Sequence, residues 1–137
     1  MVVVIYSIWW ISTSNEAEMK RILLVDDQKA IRDLLYRFFL FNGYEVECVE
    51  DGEAAMNLIK KKQYDLVIAD FMMPKMDGLN LTKKLKLYNP SLSILIMSGS
   101  GVGEAFFREA GADAFLTKPL DLSSMKILVE EILNSKK

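Results

Sequence analysis

Residues 21–41 read RILLVDDQKAIRDLLYRFFLF, and this stretch decides the fold. It opens with RILLV, an apolar run after Arg21 without alternation, as in a strand covered on both faces of a sheet. The period then changes. Ile31, Leu34, Leu35, Phe38 and Phe39 fall at helical spacing and predict one apolar stripe on a helix over 28–41. Asn42-Gly43 stops that helix, with Gly43 suited to a left-handed cap. Between the two periods stand Asp26 and Asp27, at the point where a strand turns into a helix.

The same unit recurs along the chain. Residues 44–49 alternate, with Tyr44, Val46 and Cys48 on one side and Glu45 and Glu47 on the other, which predicts a half-buried edge strand. Asp51 caps a helix running to Lys62, with Ala54, Ala55, Leu58 and Ile59 inward. Residues 66–69 form another buried-type strand. Residues 78–88 form a helix that aligns Leu81, Leu85 and Tyr88 and is broken by Asn89-Pro90. A fourth strand over 92–97, a short helix over 102–110 ended by Gly111, and a fifth strand over 114–116 follow. Asp121 starts a last helix with Leu122, Met125, Leu128, Val129, Ile132 and Leu133 inward. This alternation predicts an α/β fold, a doubly wound five-stranded parallel sheet with right-handed crossovers. In such sheets ligands bind beyond the carboxyl ends of the strands.

Composition narrows the chemistry. With 137 residues the chain has room for one compact domain, and 51% apolar with 26% charged residues is the balance of a folded one. Seventeen basic against nineteen acidic residues, a net of −2, argue against a nucleic-acid partner. The chain has no histidine, which excludes His-based acid–base catalysis, zinc–His sites and a phosphohistidine of its own. One cysteine, Cys48, excludes a disulfide framework and suits a reducing, cytoplasmic setting. Residues 1–18 stand apart from the domain expected over 19–137. Their first eleven, MVVVIYSIWWI, are apolar except Ser7, too short a run to span a bilayer. No Lys or Arg precedes Lys20, so a signal peptide lacks its basic start and an interfacial anchor built on Trp9 and Trp10 lacks a basic partner. Translation from Met19 is the plainer alternative, beside a weak anchor and an extra strand or disordered arm.

The strand ends carry the functional signal. The first strand ends in Asp26-Asp27, the third in Asp70, the fourth in Ser98, and the fifth is followed by Thr117-Lys118-Pro119. A single acid at a strand end is commonly a helix cap. Four strands delivering complementary groups to one edge are not explained that way. Clustered carboxylates repel unless a cation or proton intervenes, and hard oxygen donors suit Mg²⁺. An ammonium and a hydroxyl beside such a metal fit a phosphoryl group, which a carboxylate can accept covalently.

The strings RILLVDDQ (21–28), DLVIADFMMPKMDG (65–78), ILIMSGSG (94–101) and GADAFLTKPL (111–120) together resemble a response-regulator receiver domain, CheY-like, over 20–134. The resemblance implies the flavodoxin-like order 2-1-3-4-5. It implies Asp70 as phosphoacceptor, Asp26, Asp27 and the backbone carbonyl of Met72 as further Mg²⁺ ligands, and Lys118 as the phosphoryl's cationic partner. Ser98 and Phe115 would be the switch pair, and Lys118-Pro119 a cis peptide. Met72, Met73 and Met76 read as core filler. Met72 and Ser100 also lie beside the expected reaction centre. Lys60, Lys61 and Lys62, and Lys83, Lys84 and Lys86, read as solvated helix faces. Phe106, Phe107 and Val102 exceed what one face of a short helix can bury, and Gly99, Gly101 and Gly103 weaken that helix.

The leading expectation is a single-domain response regulator. It accepts phosphate from a sensor histidine kinase and controls an effector protein, with no nucleic-acid partner and no membrane contact of the receiver itself. A phosphorelay intermediate feeding a histidine phosphotransfer protein uses the same residues. Dimerisation on phosphorylation stays open. An Asp-nucleophile phosphatase wants a second acid two residues after Asp70, where Met72 stands, so a turnover enzyme is not expected. A flavodoxin-like cofactor carrier would have its phosphate repelled by the acids.

Overall fold

The computed structural model describes residues 19–99 and 103–135. Five parallel strands form one sheet: β1 (Arg21–Val25), β2 (Glu45–Val49), β3 (Leu66–Asp70), β4 (Ser93–Ser98) and β5 (Ala114–Thr117), in the order β2-β1-β3-β4-β5. The helices between and after them are α1 (Lys29–Phe41), α2 (Gly52–Lys61), α3 (Gly78–Tyr88), α4 (Glu104–Glu109) and α5 (Leu122–Asn134). The architecture expected from the alternating periods is therefore present, with β2 at one edge and β5 at the other.

The continuous apolar runs are buried for the anticipated reason. Every residue of β3 and β4 is buried, since helices cover both faces. On one face, α2, α3 and α4 pack Ala55, Leu81, Leu85 and Phe107 against Leu23, Val67, Ile94 and Ile96. On the other, α1 and α5 pack Leu35, Phe39, Met125 and Val129 against Ile22, Leu24, Ile68 and Leu95. Gly43 ends α1 at φ +92, the left-handed conformation for which the sequence reading selected it.

Three expectations about side chains are corrected. Leu34 is 47% exposed, because α1 meets the sheet through Leu35 and Phe39 and Leu34 lies on the flank of the stripe. Tyr88 is 51% exposed, because the buried line of α3 runs through Leu81, Thr82 and Leu85 and ends before it. Of the three methionines read as core filler, Met73 and Met76 join the core, but Met72 is 65% exposed in the loop after β3. Residues 1–18, Ser100, Gly101 and Val102 lie outside the described residues.

Register places the polar groups. Val25 is paired with Ala69, so Asp26 follows β1 level with Asp70 at the end of β3. Asp70 lies opposite Met97, one residue before Ser98, and Ser98 lies opposite Thr117, one residue before Lys118.

Candidate functional site

The acids of this chain divide into two kinds. Asp51, Asp77 and Asp121 each accept a hydrogen bond from a backbone N–H in the first turn of α2, α3 and α5. They are helix caps. Asp26, Asp27 and Asp70 instead bring one carboxylate oxygen each to within 4.8 Å of the others. Asp26 and Asp70 are buried at 1% and 4% exposure, while Asp27 is exposed.

Local structure fixes each group. The Gln28 backbone N–H donates to Asp26 Oδ1 at 2.9 Å, which ties the turn between β1 and α1. Arg32 donates through Nη1 to the Asp26 carbonyl at 2.7 Å and holds the end of β1 from the first turns of α1. Asp26 Oδ2 is buried with no hydrogen-bond partner among the described residues. Lys118, carried just past β5, places Nζ 2.9 Å from Asp70 Oδ1 and 3.8 Å from Asp26 Oδ2. Its backbone N–H donates to the Ser98 carbonyl at 2.9 Å, which links the two strand ends. The Lys118-Pro119 peptide is cis, as the resemblance implied.

Three carboxylates facing one ammonium leave an excess of two negative charges when all are ionised. Burial pushes the Asp26 carboxyl above its ordinary range. The Gln28 N–H opposes this, Asp70 adds to it, Lys118 opposes it and Asp27 adds to it. A buried carboxylate oxygen that accepts no hydrogen bond among the described residues, beside other hard oxygen donors, fits a divalent cation of the Mg²⁺ kind. Met72, the expected source of a backbone oxygen, follows Asp70 by two residues in the adjoining loop.

Ser98 ends β4 with no exposure. Phe115 is half-buried in β5, and its ring stacks on Phe107 at a centroid distance of 4.8 Å and 15°. Phe107 in turn meets the edge of Phe71, the residue after Asp70, at 5.1 Å. An aromatic series thus runs from the neighbour of Asp70 to Phe115. Sequence reasoning selected Phe115 but not Phe71, and left Phe107 undecided. Phe107 is fully buried, and Phe106 beside it is 45% exposed.

Two further supports come from Gly78 and from Thr82, the second of which went unnoticed in the sequence. A Cβ on Gly78 would stand 2.6 Å from the carbonyl oxygen of Asp70, so the start of α3 rests directly on the Asp70 backbone. Thr82, a threonine four residues on at a core-facing position, donates from Oγ1 to the Gly78 carbonyl at 2.7 Å. That spacing was the available signal.

The family model of the response regulator receiver domain matches residues 22–130. Response regulator MprA of Mycolicibacterium vanbaalenii is 39% identical over 115 residues, which are 82% of this chain and 50% of that protein. Among solved structures, a CheY-like response regulator receiver domain protein from Methanospirillum hungatei matches with a TM-score of 0.82 at 31% identity, over 85% of this chain and 95% of that one. Response regulator TrrA from Thermotoga maritima, solved in complex with Mg²⁺ and BeF, matches with a TM-score of 0.78 at 32% identity, over 84% of this chain and all of that one. The chain spans about half the length of the curated relatives it matches.

Proposed function

The chain belongs to the response regulator receiver domain family, and from that premise we propose that Asp70 is a phosphoacceptor that switches the domain's contact with an effector protein. The observation that carries this reading is the Lys118 ammonium, 2.9 Å from Asp70 Oδ1, beside two further acids.

The donor is a phosphohistidine of a sensor histidine kinase. A carboxylate oxygen of Asp70 attacks phosphorus in line. A P–O bond to Asp70 forms as the P–N bond of the donor breaks, and the electron pair goes to the leaving imidazole nitrogen. Lys118 stays beside the reacting carboxylate and balances negative charge gathering on the phosphoryl oxygens. Asp26, Asp27, Asp70 and the Met72 carbonyl are the groups that would hold Mg²⁺, and the Mg²⁺ in the Thermotoga structure supports that choice. When bound, the ion would neutralise the excess acid charge and the charge developing on the transferred group. Ser98 offers its hydroxyl to the phosphoryl group, and Phe115 follows it inward. One phosphoryl group is taken per chain, a modification rather than turnover.

The test uses the full chain, Mg²⁺ and a radiolabelled small phosphodonor. Label is expected on the wild type and not on Asp70→Asn, whose amide is a poor nucleophile. Equal labelling of the variant would place the acceptor elsewhere. Incubating the labelled protein with extract of its own cells then separates two fates. Label passing to another protein identifies a relay; label lost only as inorganic phosphate supports a switch.

A further inference from the structure

Asp26 is held at every polar atom but one. Its N–H donates to the Val49 carbonyl at 3.2 Å, at the end of β2. Its Oδ1 accepts from the Gln28 N–H at 2.9 Å. Its carbonyl accepts from Arg32 Nη1 at 2.7 Å. Only Oδ2 makes no hydrogen bond among the described residues, and it lies 3.8 Å from Lys118 Nζ, which is itself 2.9 Å from Asp70.

Arg32 closes this arrangement. Its backbone N–H donates to the Gln28 carbonyl at 3.1 Å in the first turn of α1, while its half-buried side chain reaches back to the end of β1. Asp26, Gln28 and Arg32 thus form a ring of three hydrogen bonds that joins the strand end to the helix start. α1 has no side-chain cap and no acid in its first turn, so the ring stands in for the caps of α2, α3 and α5. The carbonyl that Arg32 holds belongs to the peptide joining Asp26 to Asp27. That peptide is planar, so fixing its oxygen fixes the last backbone rotation of Asp26 and the first of Asp27 together. The guanidinium bonds the backbone, yet it sets the direction in which both carboxylates leave the chain.

We propose that Arg32 is a positioning residue of the Mg²⁺ site: its bond to the Asp26 carbonyl aims the Asp26 and Asp27 carboxylates at the place they share with Asp70. The proposal rests on the reading of these three acids as the ion's ligands. Two effects of Arg32 on a bound cation have opposite signs. Its positive charge repels the ion, so loss of the charge alone would tighten binding. Loss of the clamp frees the peptide between the two acids, which must then be ordered when the ion binds, and this weakens binding. Salt screens the repulsion of a half-exposed guanidinium, whereas outer partners that orient metal ligands are worth about tenfold or more in affinity. The clamp therefore wins.

The test is calorimetric titration of Mg²⁺ into the full chain, with Arg32→Met, Arg32→Lys and Arg37→Met set against wild type. Arg32→Met keeps the stem and removes the donor, and affinity is expected to fall about tenfold. The bond is single, so Arg32→Lys, which keeps a donor and the charge, should recover most of that loss. Arg37 is exposed further along α1, and Arg37→Met makes the same change of charge with no expected change in affinity. Circular dichroism should match wild type in all three. Unchanged or tighter Mg²⁺ binding in Arg32→Met overturns the proposal, as does an equal loss in Arg37→Met or no recovery in Arg32→Lys. Wild-type chain that binds no Mg²⁺ overturns it together with the metal reading of the acids. Because calorimetry needs no phosphoryl transfer, this proposal and the phosphoacceptor role of Asp70 can fail separately.

Discussion

Gly78 lies against the peptide of Asp70 so closely that a Cβ would come within 2.6 Å of the Asp70 carbonyl oxygen and 2.9 Å of the Phe71 Cα. Both contacts are to backbone, which cannot rotate away. The Gly78 N–H also donates to the Phe71 carbonyl at 2.9 Å, so the approach is held by a hydrogen bond. The glycine is required for proximity to the end of β3.

Gly78→Ala is therefore expected to shift the end of β3 and destabilise the fold by about 1–3 kcal/mol, the usual range for overpacking. Phosphoryl uptake should slow as well, because Asp70 moves relative to Lys118. Urea unfolding and labelling rates check both effects. Gly103→Ala is the control, since a Cβ there meets nothing within 4 Å. Equal stability of the two variants would contradict the close approach.

A second expectation concerns Asp26 in metal-free protein. Burial, with Asp70 and Asp27, holds its carboxyl above the ordinary range despite the Gln28 N–H and Lys118. The folded chain thus binds that proton more tightly than the unfolded one. Its contribution favours folding below the unfolded carboxyl's pKa and is lost as pH rises through the elevated folded value. In chelator, Asp26→Asn should be more stable than wild type at neutral pH by on the order of 1 kcal/mol, and the gap should close in acid. Denaturant titrations across pH decide this; a variant less stable at neutral pH would be the contrary result.

Asp27 is exposed and caps no helix, so its removal leaves the fold intact. Asp27→Ala is expected to weaken Mg²⁺ binding about tenfold or more, since it takes one carboxylate from a site of few protein ligands. Titration calorimetry of the two proteins measures it. Unchanged affinity would remove Asp27 from the ligand set.

Phe107 and Phe115 stack at 4.8 Å. A double-mutant cycle with Phe107→Leu and Phe115→Leu should return a coupling of about 0.5–1.5 kcal/mol, the usual worth of an aromatic pair. Additive losses would mean that the rings only share a core. The proposed inward turn of Phe115 on phosphorylation would disturb this stack, so the coupling is expected to change when the phosphoryl group is present.

The sequence by itself determined the βα alternation, the five parallel strands and the acids, serine and lysine at their ends. Each is a local pattern, readable as a run, a stripe or a strand terminus. Tertiary structure decided what those patterns touch. Periodicity gives a helix an apolar face without saying how far the sheet extends beneath it, which is why Leu34 and Tyr88 are exposed at the margins of stripes that looked uniform. Phe71 is far along the chain from Phe107 and Phe115, and the three meet only when β3, α4 and β5 are packed. The nearness of Gly78 to Asp70 depends on how the loop after β3 closes. Lys60 and Lys61 are exposed, as a solvated helix face requires, and the returning helix puts them beside Met19. In each case the decisive contact, or its absence, depends on packing between elements and not on the local pattern within one of them.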